Sequence, residues 1–161
     1  MHSLVEELSL LLLNKNLRLA SAESCTGGMI AAAITDRAGS SALFERGFVT
    51  YANEAKIEEL GVQSATIETY GAVSEQTAIE MAQGALKNSH ADIAVSVTGI
   101  AGPGGGTDLK PVGLVYIGIA QHNKNAIAYK NNFDGDRRSI RQATVEKALE
   151  LLIETLSTRA V

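Results

Sequence analysis

The residues with the clearest chemical potential lie between Gly39 and Lys56. A serine pair, Ser40-Ser41, sits in a Gly-led turn, an apolar run follows, and Tyr51 and Lys56 come after it. Phe44 to Tyr51 is rich in aromatic and β-branched residues, which suits a strand. Asn53 fits an N-cap, and Glu54 to Leu60 reads as the helix behind it. Lys56 then falls in the first helical turn, where the positive end of the macrodipole disfavours an ammonium. Partial burial would lower its pKa further, giving a lysine able to accept a proton near neutral pH. A hydroxyl beside such a base is an activated nucleophile. The same residues also fit a plain turn serine, a solvated lysine and a core tyrosine, and by themselves they do not choose between the two readings.

Three other stretches could act on a ligand. Glu23-Ser24-Cys25-Thr26-Gly27-Gly28 lies between a strand at Leu17 to Ala22 and a small-residue helix from about Met29 to Thr35. A strand, a short polar Gly turn and a helix together aim N–H groups at an anion. A capped turn with Ser24 or Thr26 as the cap is the alternative, and neither a P-loop nor a dinucleotide fingerprint is present. Cys25 at that helix start would have a depressed pKa, so a thiol nucleophile stands beside the reading of a small turn residue. Gly99 to Thr107 is the most glycine-dense loop, leaving a strand at Asp92 to Thr98; so costly a segment to order suits close approach to a ligand, or a lid, with a floppy surface loop as the alternative. Arg137, Arg138 and Arg141 crowd the start of the last helix and oppose its dipole. Either Asp134 and Asp136 offset them or a ligand anion does.

The remaining elements must hold these pieces in place. Ser3 to Asn14 has leucines at helical spacing, Ser64 to Tyr70 is a short helix, and Ser74 caps a helix running to about Lys87. Val112 to Gln121 and Asn125 to Phe133 form an antiparallel hairpin, and the last helix buries Val145, Ala148, Leu149, Leu152 and Leu156. The sequence, 161 residues with 45% hydrophobic and 20% charged, suits one domain spanning 1–161. A net charge of −4 argues against a general nucleic-acid binder. The single cysteine rules out an intrachain disulfide, the three histidines lack ligand spacing, and no stretch reads as a signal peptide or a membrane span. The expectation is a cytoplasmic chain without metal, nucleic-acid or membrane partners, with a homo-oligomer left open.

Several strings occur in a fixed order: Ala22 to Gly28, Ala38 to Ser41, Arg46 to Lys56, Tyr70 to Glu75, Val97 to Pro103, Lys110 to Gly113 and Gly135 to Arg137. Together they resemble the C-terminal domain family of the competence-damage-inducible protein CinA, the nicotinamide-nucleotide amidases. The resemblance covers nearly the whole chain and implies the stand-alone amidase form. It implies an α/β fold, a three-layer α/β/α sandwich with a mixed, mostly parallel sheet of about five strands. It also implies hydrolysis of the carboxamide of nicotinamide mononucleotide to nicotinate mononucleotide and ammonia, with no metal or organic cofactor. The family's serine nucleophile matches Ser41, its lysine base Lys56 and its assisting tyrosine Tyr51. The expected substrate-binding residues are Glu23, Ser24, Thr26, Gly27, Gly28, Thr98, Gly99, Gly102 and Arg137. A non-catalytic nucleotide-binding or regulatory module of the same fold is the alternative, and a hydrolase using Cys25 a third.

Overall fold

A computed structural model describes residues 1–158. The elements follow in the order α1 (His2–Lys15), β1 (Leu19–Glu23), α2 (Met29–Thr35), a 3₁₀ turn (Ser40–Ala42), β2 (Phe44–Val49), α3 (Asn53–Leu60), α4 (Ser64–Tyr70), α5 (Glu75–Lys87), β3 (Ile93–Gly99), β4 (Leu114–Gln121), β5 (Ile127–Asn132) and α6 (Arg137–Ser157). The strands form one five-stranded sheet in the order β2-β1-β3-β4-β5. β1 pairs in parallel with β2 and β3, and β4 runs antiparallel to β3 and β5. Four strands thus share one direction and β4 opposes them, so the sheet is mixed as expected.

Alternation along the central strands divides the core in two. Ile93, Val95 and Val97 of β3 face one side and pack with Leu8 and Leu12 of α1, Ile30 and Ile34 of α2, and Val145, Leu149 and Leu152 of α6. Ala20 and Ala22 of β1 and Ala94 of β3 face the other, against Met81, Ala82 and Ala85 of α5 and Leu60 and Val62 behind α3. Each buried leucine or isoleucine contributes about 1.5–3 kcal/mol. The alanine-lined face lets α5 come close to its neighbours. A Cβ on Gly118 of β4 would lie 2.5 Å from the Ala78 carbonyl oxygen, and one on Gly84 would lie 1.8 Å from that of Leu60. α5 is therefore in backbone contact with the end of α3, the helix that carries Lys56.

Two helices start with a side-chain cap. Ser74 Oγ accepts from Thr77 N at 3.2 Å at the start of α5, and Asp136 Oδ1 accepts from Ser139 N at 2.8 Å at the start of α6. The Asp136 carboxyl is held below its ordinary value first by its bonds to Ser139 and to a lesser degree by the Arg138 charge. Two starts differ from the sequence reading: Ala52 takes the cap position of α3, with Asn53 the first helical residue, and Gly28 rather than Ser24 or Thr26 takes that of α2, neither helix having a side-chain cap.

The C-terminal ends of β1, β2 and β3 lie side by side. Ser24 N donates to Val97 O at 3.0 Å, and Thr50 N donates to Glu23 O at 3.0 Å, so the ladder extends just past β1 and β2. The connection from β1 leads to α2 on one face and that from β2 to α3–α5 on the other. The crevice where successive connections part this way is the usual ligand edge of an open α/β sheet.

Candidate active site

Lys56 is 1% exposed, the largest fully buried side chain of the described residues. One turn into α3, it reaches back under the chain leaving β2. Its Nζ lies 3.0 Å from Thr50 O, 3.3 Å from Tyr51 O and 3.1 Å from Ser24 Oγ. No carboxylate is among these partners, so burial pushes the ammonium below its ordinary value of 10.5, with Cys25 acting weakly the other way. A neutral amine fits the partners well. Two N–H groups go to the two carbonyls, which can only accept, and the lone pair is left for the Ser24 hydroxyl proton. Ser24 is held at this point because its N–H extends the β1–β3 ladder and its side chain is nearly enclosed.

Ser41, the expected nucleophile, is elsewhere. It is an exposed residue of the 3₁₀ turn that enters β2, whereas Lys56 meets the chain leaving β2. The six residues of β2 lie between them, which at about 3.3 Å per residue is roughly 20 Å. Its neighbour Ser40 is buried and donates to Ile34 O and Arg37 O at 2.6 Å, so the pair shapes a turn. The hydroxyl that the fold brings to Lys56 is that of Ser24.

The expected anion cradle is also occupied from within. Glu23 is fully buried, and its Oε1 accepts from Thr26 Oγ1 at 2.7 Å and from Ile30 N at 2.8 Å, while Oε2 accepts from Ala31 N at 3.1 Å. A side chain of the protein thus takes the free N–H groups of α2 that a phosphate would need. Glu23 and Thr26 brace the turn from behind. From the other side Arg141 donates to Cys25 O at 3.0 Å and to Thr26 O at 3.2 Å. Gly27 and Gly28 have φ of +57° and +103°, left-handed values that favour glycine in this turn. Burial raises the Cys25 thiol to about 11, opposite to the depression expected at a helix start.

Ser24, Cys25, Tyr51, Asn53, Lys56 and Arg137 line a cavity of about 230 Å³, closed by Ala72, Val73, Thr98, Gly99 and Ala101. Thr98 Oγ1 donates to Ala72 O at 2.7 Å and fixes the far wall. At the mouth, Arg137 donates from Nη1 to Gly102 O at 2.8 Å and from Nη2 to Tyr51 Oη at 3.0 Å. Six of the twelve expected residues, Ser24, Tyr51, Lys56, Thr98, Gly99 and Arg137, therefore line this cavity; Gly102 only holds Arg137 through its carbonyl, Glu23, Thr26, Gly27 and Gly28 form the turn behind, and Ser41 is remote. Asn53 as a wall residue and Arg141 as a brace carry no local sequence signal for these places. Ser24, expected at an anion site or a cap, stands at the end of a central strand, and that position is the sequence signal for a larger part. A hollow of about 310 Å³ between α3 and α5 contains no paired nucleophile and base. Among the described residues no cluster could hold a metal ion, and no helix is long and apolar enough to cross a membrane.

The family model described as the CinA C-terminal domain matches residues 1–156. A nicotinamide-nucleotide amidohydrolase PncC from Enterobacter agglomerans is 55% identical over 146 residues, covering 90% of this chain and 89% of that protein. A CinA-like protein from Endomicrobium trichonymphae is 56% identical over 142 residues, covering 88% of this chain but 33% of that protein. The chain spans about a third of the length of several curated relatives, 35% to 37% in three of them. Among solved structures, the competence/damage inducible protein CihA from Agrobacterium tumefaciens superposes with a TM-score of 0.94 at 50% identity, covering 98% of this chain and 95% of that one.

Proposed function

The chain belongs to the CinA C-terminal domain family, and from that premise we propose that it is an amidohydrolase acting on the carboxamide of nicotinamide mononucleotide. The observation that carries the reading is the buried Lys56 amine, whose one hydroxyl partner is Ser24 at the wall of a ligand-sized cavity. The relative named for this activity covers almost the same length of chain.

In the mechanism we infer, Lys56 takes the Ser24 proton as Oγ attacks the carboxamide carbon. The tetrahedral intermediate then expels ammonia, to which Lys56 returns the proton directly or through Tyr51. The acyl group is left as an ester on Ser24. Water, deprotonated by Lys56, attacks that ester and releases nicotinate mononucleotide with Ser24 restored. A cavity of about 230 Å³ is below the roughly 300–1,000 Å³ of sites that enclose a whole ligand. It suits the pyridine carboxamide, with ribose and phosphate extending to the mouth. With α2 capped by Glu23, the cation nearest the phosphate is Arg137, whose remaining N–H groups are available to it.

The test is ammonia release from nicotinamide mononucleotide by the purified chain, with product identified by mass. Turnover that Ser24→Ala abolishes is the expected result. Tight nucleotide binding with no ammonia would favour the non-catalytic module.

A further inference from the structure

Arg137 makes two bonds that a phosphate anchor does not need. Both ends of its guanidinium are engaged across the mouth of the cavity, Nη1 on Gly102 O and Nη2 on Tyr51 Oη. Both partners are uncharged, and they come from different segments, the glycine loop after β3 and the chain leaving β2. Arginine is only ever a donor, so the Tyr51 oxygen must accept from it. A phenol that accepts this bond keeps its own proton for another partner. The main chain of Tyr51 is fixed as well, because its carbonyl accepts from Lys56 Nζ at 3.3 Å. One residue of the cavity lining is therefore tied at its backbone to the base and at its hydroxyl to Arg137.

We propose that Arg137 is a positioning residue that fixes the Tyr51 hydroxyl as a proton donor facing the substrate carboxamide, in addition to any contact it makes with phosphate. This rests on the amidase reading above. Tyr51 is 60% exposed, so packing alone does not set its hydroxyl, and without Arg137 the phenol would turn freely between solvent and cleft. A donor held in place strengthens as charge develops on the leaving nitrogen or the carbonyl oxygen, and acts on the rate of the chemical step. Lysine offers one compact ammonium in place of the planar fork and cannot hold both acceptors in this geometry.

The test is a double-mutant cycle on kcat with two substrates, nicotinamide mononucleotide and the riboside that lacks the phosphate. Arg137→Ala is expected to lower kcat about tenfold or more on both, Arg137→Lys to leave most of that loss, and the loss to shrink below about twofold in a Tyr51→Phe background. A defect confined to the nucleotide's KM, with the riboside unaffected, would make Arg137 a phosphate anchor alone and overturn the proposal. An equal kcat loss in both backgrounds would overturn it too. A readout independent of turnover is the Cζ resonance of ¹³C-labelled tyrosine, with Tyr51 assigned among the four tyrosines through Tyr51→Phe. Arg137→Ala should move that resonance, and an unmoved one removes the contact. Should the parent release no ammonia, the amidase reading fails, while the resonance still judges the pairing of Arg137 with Tyr51.

Discussion

Lys56 Nζ lies 3.1 Å from Ser24 Oγ across 32 residues of sequence. The contact exists because β1 and β2 pair in parallel, so both chains leave the sheet at the same edge, and α3 turns Lys56 back over that edge. Ser41, much nearer in sequence, enters β2 at the opposite edge.

The first prediction separates these two serines. Ser24→Ala should lower kcat by roughly a thousandfold or more with the fold intact, because only one hydroxyl is lost. Ser41→Ala should stay within about twofold of the parent, as an exposed substitution away from the cleft. Inverted results in an ammonia assay would move the nucleophile to the far edge of the sheet.

Lys56 gives a pH dependence in both activity and stability. Its folded-state pKa is lowered from 10.5 by burial, so kcat/KM should rise with pH and level off before 10.5 as the amine becomes neutral. Lys56→Arg cannot deprotonate and should be nearly inactive. Between the lowered folded value and 10.5 the unfolded chain binds more protons than the folded one, so stability should increase with pH across that window. Urea unfolding of Lys56→Met should lack this increase. A slope that persists in the variant would place the responsible group elsewhere.

Glu23 is expected to govern stability. Glu23→Ala strips three hydrogen bonds from a buried turn and should cost about 2–4 kcal/mol, a fall in Tm of roughly 4–16 °C. Glu23→Gln keeps the shape but turns an NH₂ toward one of the N–H groups of α2, and should cost about 1–3 kcal/mol. Inorganic phosphate should not rescue either variant's activity. Thermal and urea unfolding check the first two values, and a Tm unchanged in Glu23→Ala would mean that the helix end is satisfied in another way.

Cys25 should behave as a packed thiol. With a pKa of about 11, only about one molecule in a thousand carries a thiolate at pH 8, the form that reacts. Alkylation should be slow in the native protein and fast in urea, and Cys25→Ala should keep most of the activity. Rapid native labelling coupled to inactivation would instead make the thiol part of the chemistry.

Local patterns determined much of this protein from sequence alone. The branched residues Ile93, Val95 and Val97, the cap at Ser74 and the core stripe of α6 each depend on neighbours a few residues away. Such interactions are written along the chain, and the strands and helices appear close to where they were expected. The string resemblance likewise carried the family and the layered fold. Which serine meets Lys56 was of another kind. It depends on strand direction and on which end of β2 each residue occupies, so the resemblance, matched string by string, pointed to Ser41, while the parallel sheet brings Ser24 to the lysine. The same holds for Glu23, whose carboxyl group closes the helix end that sequence offered to a phosphate. Long-range pairing decides such partners, because a buried polar atom takes whichever complementary group the packed chain brings within about 3 Å.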